Sequence, residues 1–224
     1  MSEPDLGAVL DALSKESRIL VDRALSEFLD TDFLEYDVLD GRLTKGHVMT
    51  QLAREGDRMA DELLAASGRV VPPVDRGRRW EIGEGGELRP GAVLIDDLHV
   101  AVERLAEALD GIPDWRALPA EVVAIPSRRL LQLVVHHHDL GRPWSELDGA
   151  TAVVAVAALP TVLAEALAAT ELHVDESTSG PQVSTGGGRR TVTGPSRAIL
   201  AWATGRPLPD SPSDDPHRDV RVWI

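Results

Sequence analysis

Three of the chain's seven histidines stand side by side in the stretch RRLLQLVVHHHDLG, residues 128–141. Gln132 lies four residues before His136, and residues four apart share a helix face. A carboxylate at 132 would make an acid–imidazole pair suited to zinc. The sequence has an amide there, which is neutral and a poor partner for a dication. His137 and His138 point to other faces by the 100° step. Their plainer reading is imidazoles at a helix C-terminus, where a partial negative charge favours them. Arg128 and Arg129 lie on the same helix and suit an anion, but the reading taken here is an exposed first turn. STGGGRR, residues 184–190, lacks the Lys-Ser/Thr frame of a phosphate loop and reads as a hairpin turn.

Composition bounds the partners of such a site. The 224 residues carry a formal net charge of −14, with an isoelectric point near 4.8. That balance argues against nucleic acid or an anionic membrane as the main partner and leaves a small-molecule substrate or ligand. Hydrophobic residues make up 43% of the chain, enough for a packed core. With no cysteine, disulfides, thiolate-bound zinc and a cysteine nucleophile are excluded. The acidic N-terminal residues lack the apolar core of a signal peptide. The longest apolar run, TAVVAVAALPTVLAEALAA, contains Pro160 and reaches Glu165 too soon to span a bilayer. The expectation is a soluble, cytoplasmic protein; its oligomeric state stays open.

The elements that position these residues follow from hydrophobic spacing. Apolar residues at helical period predict helices over about 6–28, with Leu13, Leu20 and Leu25 in the stripe, and over 45–67 after a Thr44 cap. A third runs over about 92–109, and a fourth starts after Pro126, with Ser127 as its cap, and ends at Gly141. A glycine- and proline-rich stretch over 68–91 separates the second from the third. A fifth helix over 151–169 is interrupted at Pro160. After Thr170, ELHVDEST, RRTVTG and DVRVWI favour strands, and GPSRAILAWATG reads as a short helix between glycines. The predicted fold is mainly α with a small α+β part: a four-helix bundle over 1–150, a connecting helix over 151–169 and a small α+β domain over 170–224.

LTKGHVMTQLAREGDRMADELL, RRWEIGEGGELRPGAVLIDDL, IPSRRLLQLVVHHHDLG and VTGPSRAILAWATGR, in this order, resemble the mycothiol-dependent maleylpyruvate isomerase family of the DinB-like superfamily. The resemblance covers almost the whole chain and implies a DinB-type four-helix bundle followed by a small α+β domain. It also implies zinc held inside the bundle by two histidines and a glutamate, and mycothiol or another low-molecular-weight thiol as the attacking group. The family pattern HVxxHLAR reads HVMTQLAR here, so the first histidine position is Gln51. The pattern ExxxHHxDL reads QLVVHHHDL, which puts the glutamate position at Gln132 and the second histidine at His136. Two amides among three metal positions, Gln51, Gln132 and His136, predict that the zinc is lost. The resemblance further implies that Arg206 binds a substrate carboxylate, a role that suits a planar guanidinium. The plainer reading of Arg206 is a helix-end arginine.

Several alternatives stay open at this level. A shifted metal site would draw on His47, His136 and Glu55 or His137, whereas the plainer reading leaves His47 packed near a helix start. Gln51 and Gln132 either hydrogen-bond each other or line a pocket that grips a carbonyl or carboxylate. The function implied is a divergent isomerase- or thiol-transferase-like enzyme acting on a small electrophilic, carboxylated molecule. In it Gln51 and Gln132 orient the substrate, His136 or His47 moves the proton and Arg206 holds the anion. The rival is a non-catalytic protein that binds or senses a small ligand in the same cavity.

Overall fold

The computed structural model describes residues 5–29, 37–39, 43–71, 89–186 and 188–206. Its elements run α1 (Leu6–Glu27), β1 (Asp37–Leu39), β2 (Leu43–Thr44), α2 (Lys45–Ala66), α3 (Gly91–Asp110), α4 (Ala120–Val123), α5 (Ile125–Asp139), α6 (Gly149–Val162), β3 (Thr170–Val174), β4 (Gln182–Gly186), β5 (Arg189–Gly194) and α7 (Ser196–Thr204). The architecture is mainly α with a small α+β part, as periodicity predicts. The four long helices expected from the sequence are α1, α2, α3 and α5. The expected strand DVRVWI and most of the glycine-rich stretch lie outside the described residues.

The chain divides into two compact units that interleave in sequence. Among the described residues, one gathers those up to Ala12, Pro126–His138 and those from Arg142 to Arg206; the other gathers those from Leu13 to Ile125 with Asp139–Gly141. In the first unit a single apolar core joins Leu130, Leu131, Val134 and Val135 of α5 to Ala152, Ala155, Val156 and Leu159 of α6. The same core takes in Leu172 of β3, Val192 of β5 and Ile199 and Leu200 of α7. The small sheet therefore shares a core with α5 and α6, because three short strands alone bury too little apolar area to stand by themselves.

In that sheet β5 is central, parallel to β3 and antiparallel to β4. Leu172 and Val183 both pair with Val192, so all three share one face. Leu172 and Val192 are buried, whereas Val183 on the edge strand is exposed. The β4–β5 connection is the hairpin expected of STGGGRR, with Gly188 at φ +80°, a conformation that favours glycine. α7 is held at both ends. Glu176 Oε1 accepts from the Ser196 backbone N–H at 3.0 Å, and Gly205, at φ +68°, ends the helix in the left-handed conformation.

In the second unit α2 packs on α3 through Met59, Ala60, Leu63 and Leu64 against Leu105 and Ala108. Arg104 of α3 donates to the Asp57 carbonyl oxygen at 3.0 Å and to the carboxylates of Asp57 and Asp61 on α2.

Three local expectations change. The α1 stripe runs through Leu13, Leu20, Val21, Ala24 and Phe28, and Leu25 is 47% exposed. The turn of the helix brings Phe28 inward, and Leu25 lies about 80° off the line set by Ala24 and Phe28. Ser127 does not cap α5. The short helix α4 leads into it, so the helix already runs at Ile125, with Pro126 in the first turn, where no donor is needed. Finally, α6 passes through Pro160 and ends at Val162, with turns rather than helix over 163–169. Its start is set by Asp148, whose carboxylate accepts from the Thr151 N–H at 3.1 Å.

Candidate functional site

The candidate residues fall on two helices and one helix end. His47 and Gln51 lie on α2, in the second unit. Gln132 and His136 lie on α5, and Arg206 follows α7, all three in the first unit.

On α2, His47 occupies the third helical position after the Thr44 cap. Its backbone N–H donates to Thr44 Oγ1 at 3.4 Å, and its Nδ1 accepts from the Thr44 N–H at 3.2 Å. This is a capping box with imidazole in the place usually taken by a glutamate or glutamine side chain. Nδ1 is therefore an acceptor, which puts the ring proton of the neutral tautomer on Nε2. Gln51, one turn further on, is half-buried. At the start of the same helix Lys45 places its ammonium 4.6 Å from the centre of the Phe28 ring. Burial, opposed by the Glu27 carboxylate and aided by Arg23, holds its pKa below the usual lysine range.

On α5 the polar residues are more deeply placed. Arg129 and His136 are fully buried, and Gln132 is 3% exposed. Arg129, Gln132 and His136 follow one another at i, i+3 and i+7 and so share a face. Arg129 Nη1 donates to Gln132 Oε1 at 3.3 Å. The expectation of an exposed first turn is thus corrected for Arg129, while Arg128 is half-buried. The helix is buried all round from Leu130 to His137, and Arg129 at its near end is enclosed with it. The spacing Arg-x-x-Gln-x-x-x-His was the available signal.

His137 is buried and His138 half-buried. His138 stacks on Trp144 with ring centroids 4.8 Å apart, and its Nδ1 lies 3.3 Å from the Arg142 carbonyl oxygen. It closes the C-terminal end of α5 onto the turn that follows, a structural role in line with the sequence reading. Arg206 is 3% exposed and donates from Nη1 to the Thr204 carbonyl at 2.8 Å. Its backbone N–H bonds to the Ala201 carbonyl. It thereby serves the end of α7 while its guanidinium is withdrawn from solvent.

Two further features were not singled out from the sequence. Glu16 is fully buried within the α1 stripe, and its only signal was a carboxylate between Leu13 and Leu20 at helical spacing. A cleft of about 470 Å³ lies at the end of the small sheet, lined by small residues with Glu165, Arg189 and Arg190. There Arg189 pairs with Glu171 at 2.7 Å.

The side chains of Gln51, Gln132 and His136, the positions that the sequence resemblance would give to zinc, do not suit it. Two of them are amides, and the carbonyl oxygen of Gln132 already faces a guanidinium, whose positive charge opposes a dication at the same atom. Among the described residues, no group of three or more His, Asp or Glu is placed to hold a metal ion.

No protein-family model matches the chain, and no curated protein matches it. Among solved structures, the chain resembles the crystal structure of a histidine-to-alanine mutant of mycothiol-dependent maleylpyruvate isomerase. The TM-score is 0.65 at 20% identity, over 92% of this chain and 93% of that one. The likeness extends to the fold, mainly helical with a small α+β part.

Proposed function

We propose that the chain is a divergent enzyme of the maleylpyruvate isomerase type, acting on a small electrophilic, carboxylated substrate without the family zinc. The observation that carries this reading is the buried polar row Arg129–Gln132–His136 on α5, within a fold shared with mycothiol-dependent maleylpyruvate isomerase. Polar side chains are costly at the centre of a helical fold, and a chain with only a scaffold role would do better with leucine at 132.

A low-molecular-weight thiol, when bound, supplies the nucleophile that adds to the substrate's activated double bond and later leaves. The sequence contains no cysteine, so any thiol must come from outside. In this reading, Gln132 holds a substrate oxygen, Arg206 pairs with the substrate carboxylate, and His136 moves a proton to and from the carbon beside the carbonyl.

The test is a cis–trans assay with maleylpyruvate in the presence and absence of mycothiol, together with calorimetric titration of the substrate analogue maleate. Thiol-dependent isomerisation that falls by roughly a hundredfold in His136→Ala supports the reading. Maleate binding without turnover would make the chain a ligand-binding protein. Neither binding nor turnover would remove the bundle site from consideration.

A further inference from the structure

The orientation of one buried amide defines what the α5 site recognises. A guanidinium carries only donors, so the atom of Gln132 that faces Arg129 must be its carbonyl oxygen. The amide is planar, with oxygen and nitrogen on opposite branches of one carbon. Fixing Oε1 on Arg129 therefore aims the two N–H groups away from it. The Arg129 contact is the one hydrogen bond of the Gln132 side chain among the described residues, although the residue is 97% buried, its exposure being 3%. Its N–H groups have no acceptor among the described residues, which leaves them for a ligand or water. The neighbouring positive charge draws electron density to Oε1 and makes those N–H groups stronger donors. His136 follows one turn along on the same face, fully buried.

We propose that Gln132 is a hydrogen-bond donor to a carboxylate or carbonyl oxygen of the ligand, and that Arg129 is the positioning residue that turns its amide into that role. This deepens the proposed function and rests on it for the site. It also chooses between the two fates left open for the amide: Gln132 recognises an anion or carbonyl and does not serve as a surrogate metal ligand. A chain with glutamate at this position would present an acceptor to the same space and select the opposite kind of ligand, a cation or a donor.

The experiment compares the purified protein with Gln132→Glu and Gln132→Met by calorimetric titration with maleate, and by thermal unfolding without ligand. Glutamate keeps an oxygen for Arg129 and removes the donors. Maleate should then bind roughly tenfold more weakly or worse in Gln132→Glu, while the unfolding midpoint holds or rises. Gln132→Met should lose both affinity and stability, because it strands the Arg129 contact. A Gln132→Glu protein that binds maleate as tightly as the parent overturns the donor role. Arg129→Lys and Arg129→Met test the positioning. In the methionine background the glutamate substitution should lower the midpoint instead of holding it, and an unchanged effect overturns the amide orientation. Should Arg129→Met fail to fold, Arg129→Lys must reduce maleate affinity while leaving the midpoint within a few degrees. A parent protein that does not bind maleate overturns the ligand class together with the proposed function, and the thermal cycle still decides the Arg129–Gln132 geometry separately.

Discussion

Thr44 and His47 cap the same helix end reciprocally: the threonine hydroxyl accepts from the histidine N–H, and the histidine Nδ1 accepts from the threonine N–H. A residue with the credentials of a proton carrier is thus also a structural partner. The two roles separate by substitution. Thr44→Ala should cost about 1 kcal/mol in denaturant unfolding, the usual worth of such a cap. His47→Gln should keep the box, since glutamine is a common residue at this position. Lost turnover in a His47→Gln protein of parental stability would assign Nε2 a chemical role.

Arg206 also serves two ends. Its bond to the Thr204 carbonyl supports the last turn of α7, so Arg206→Gln should lower stability by about 1 kcal/mol. If the same guanidinium pairs with a substrate carboxylate, maleate affinity should fall by roughly tenfold or more. A stability change with unaltered maleate binding would leave Arg206 as a helix-end residue.

Glu176 gives a pH signature to the small α+β part. Hydrogen bonds from the Ser196 side chain and then from its backbone N–H hold the Glu176 carboxyl below the usual carboxylate range. Its folded pKa therefore lies below the unfolded one. The stability it contributes is present above the unfolded value and is lost as pH falls through the folded one. Thermal midpoints measured from neutral pH down to about 3 should show an acid-side loss that is smaller in Glu176→Gln.

The register of α1 and the core of the first unit can be checked together. Leu131 is fully buried, and Leu131→Ala should destabilise by about 2–5 kcal/mol. Leu25, although a leucine in an amphipathic helix, is 47% exposed, and Leu25→Ala should stay within about 0.5 kcal/mol of the parent.

Metal content is the remaining test. Elemental analysis of protein purified without chelator, and again after incubation with zinc, should give well below about one zinc per chain. About one tightly held zinc would mean that other side chains complete a site, and His47 would be the first to substitute.

The sequence by itself determined the long helices, the Thr44 cap, the hairpin of STGGGRR and the identity of the residues able to do chemistry. Each of these rests on local spacing: a 3.6-residue period, a capping hydroxyl, glycines where the chain reverses. The two amides at ligand positions were legible for the same reason, since residue type is read directly. What only tertiary structure decided is which side of a helix faces inward and what each buried polar group meets there. Arg129 follows Arg128 in sequence, yet one is fully buried and the other half-exposed, because consecutive helical residues point about 100° apart and only the fold sets which direction is covered. Leu25 and Phe28 divide on the same principle. The burial of Glu16 and the turn of the Gln132 amide toward Arg129 were equally out of reach. A side chain's chemistry is written in the sequence, but its partner and its dielectric surroundings are set by residues brought to it through folding.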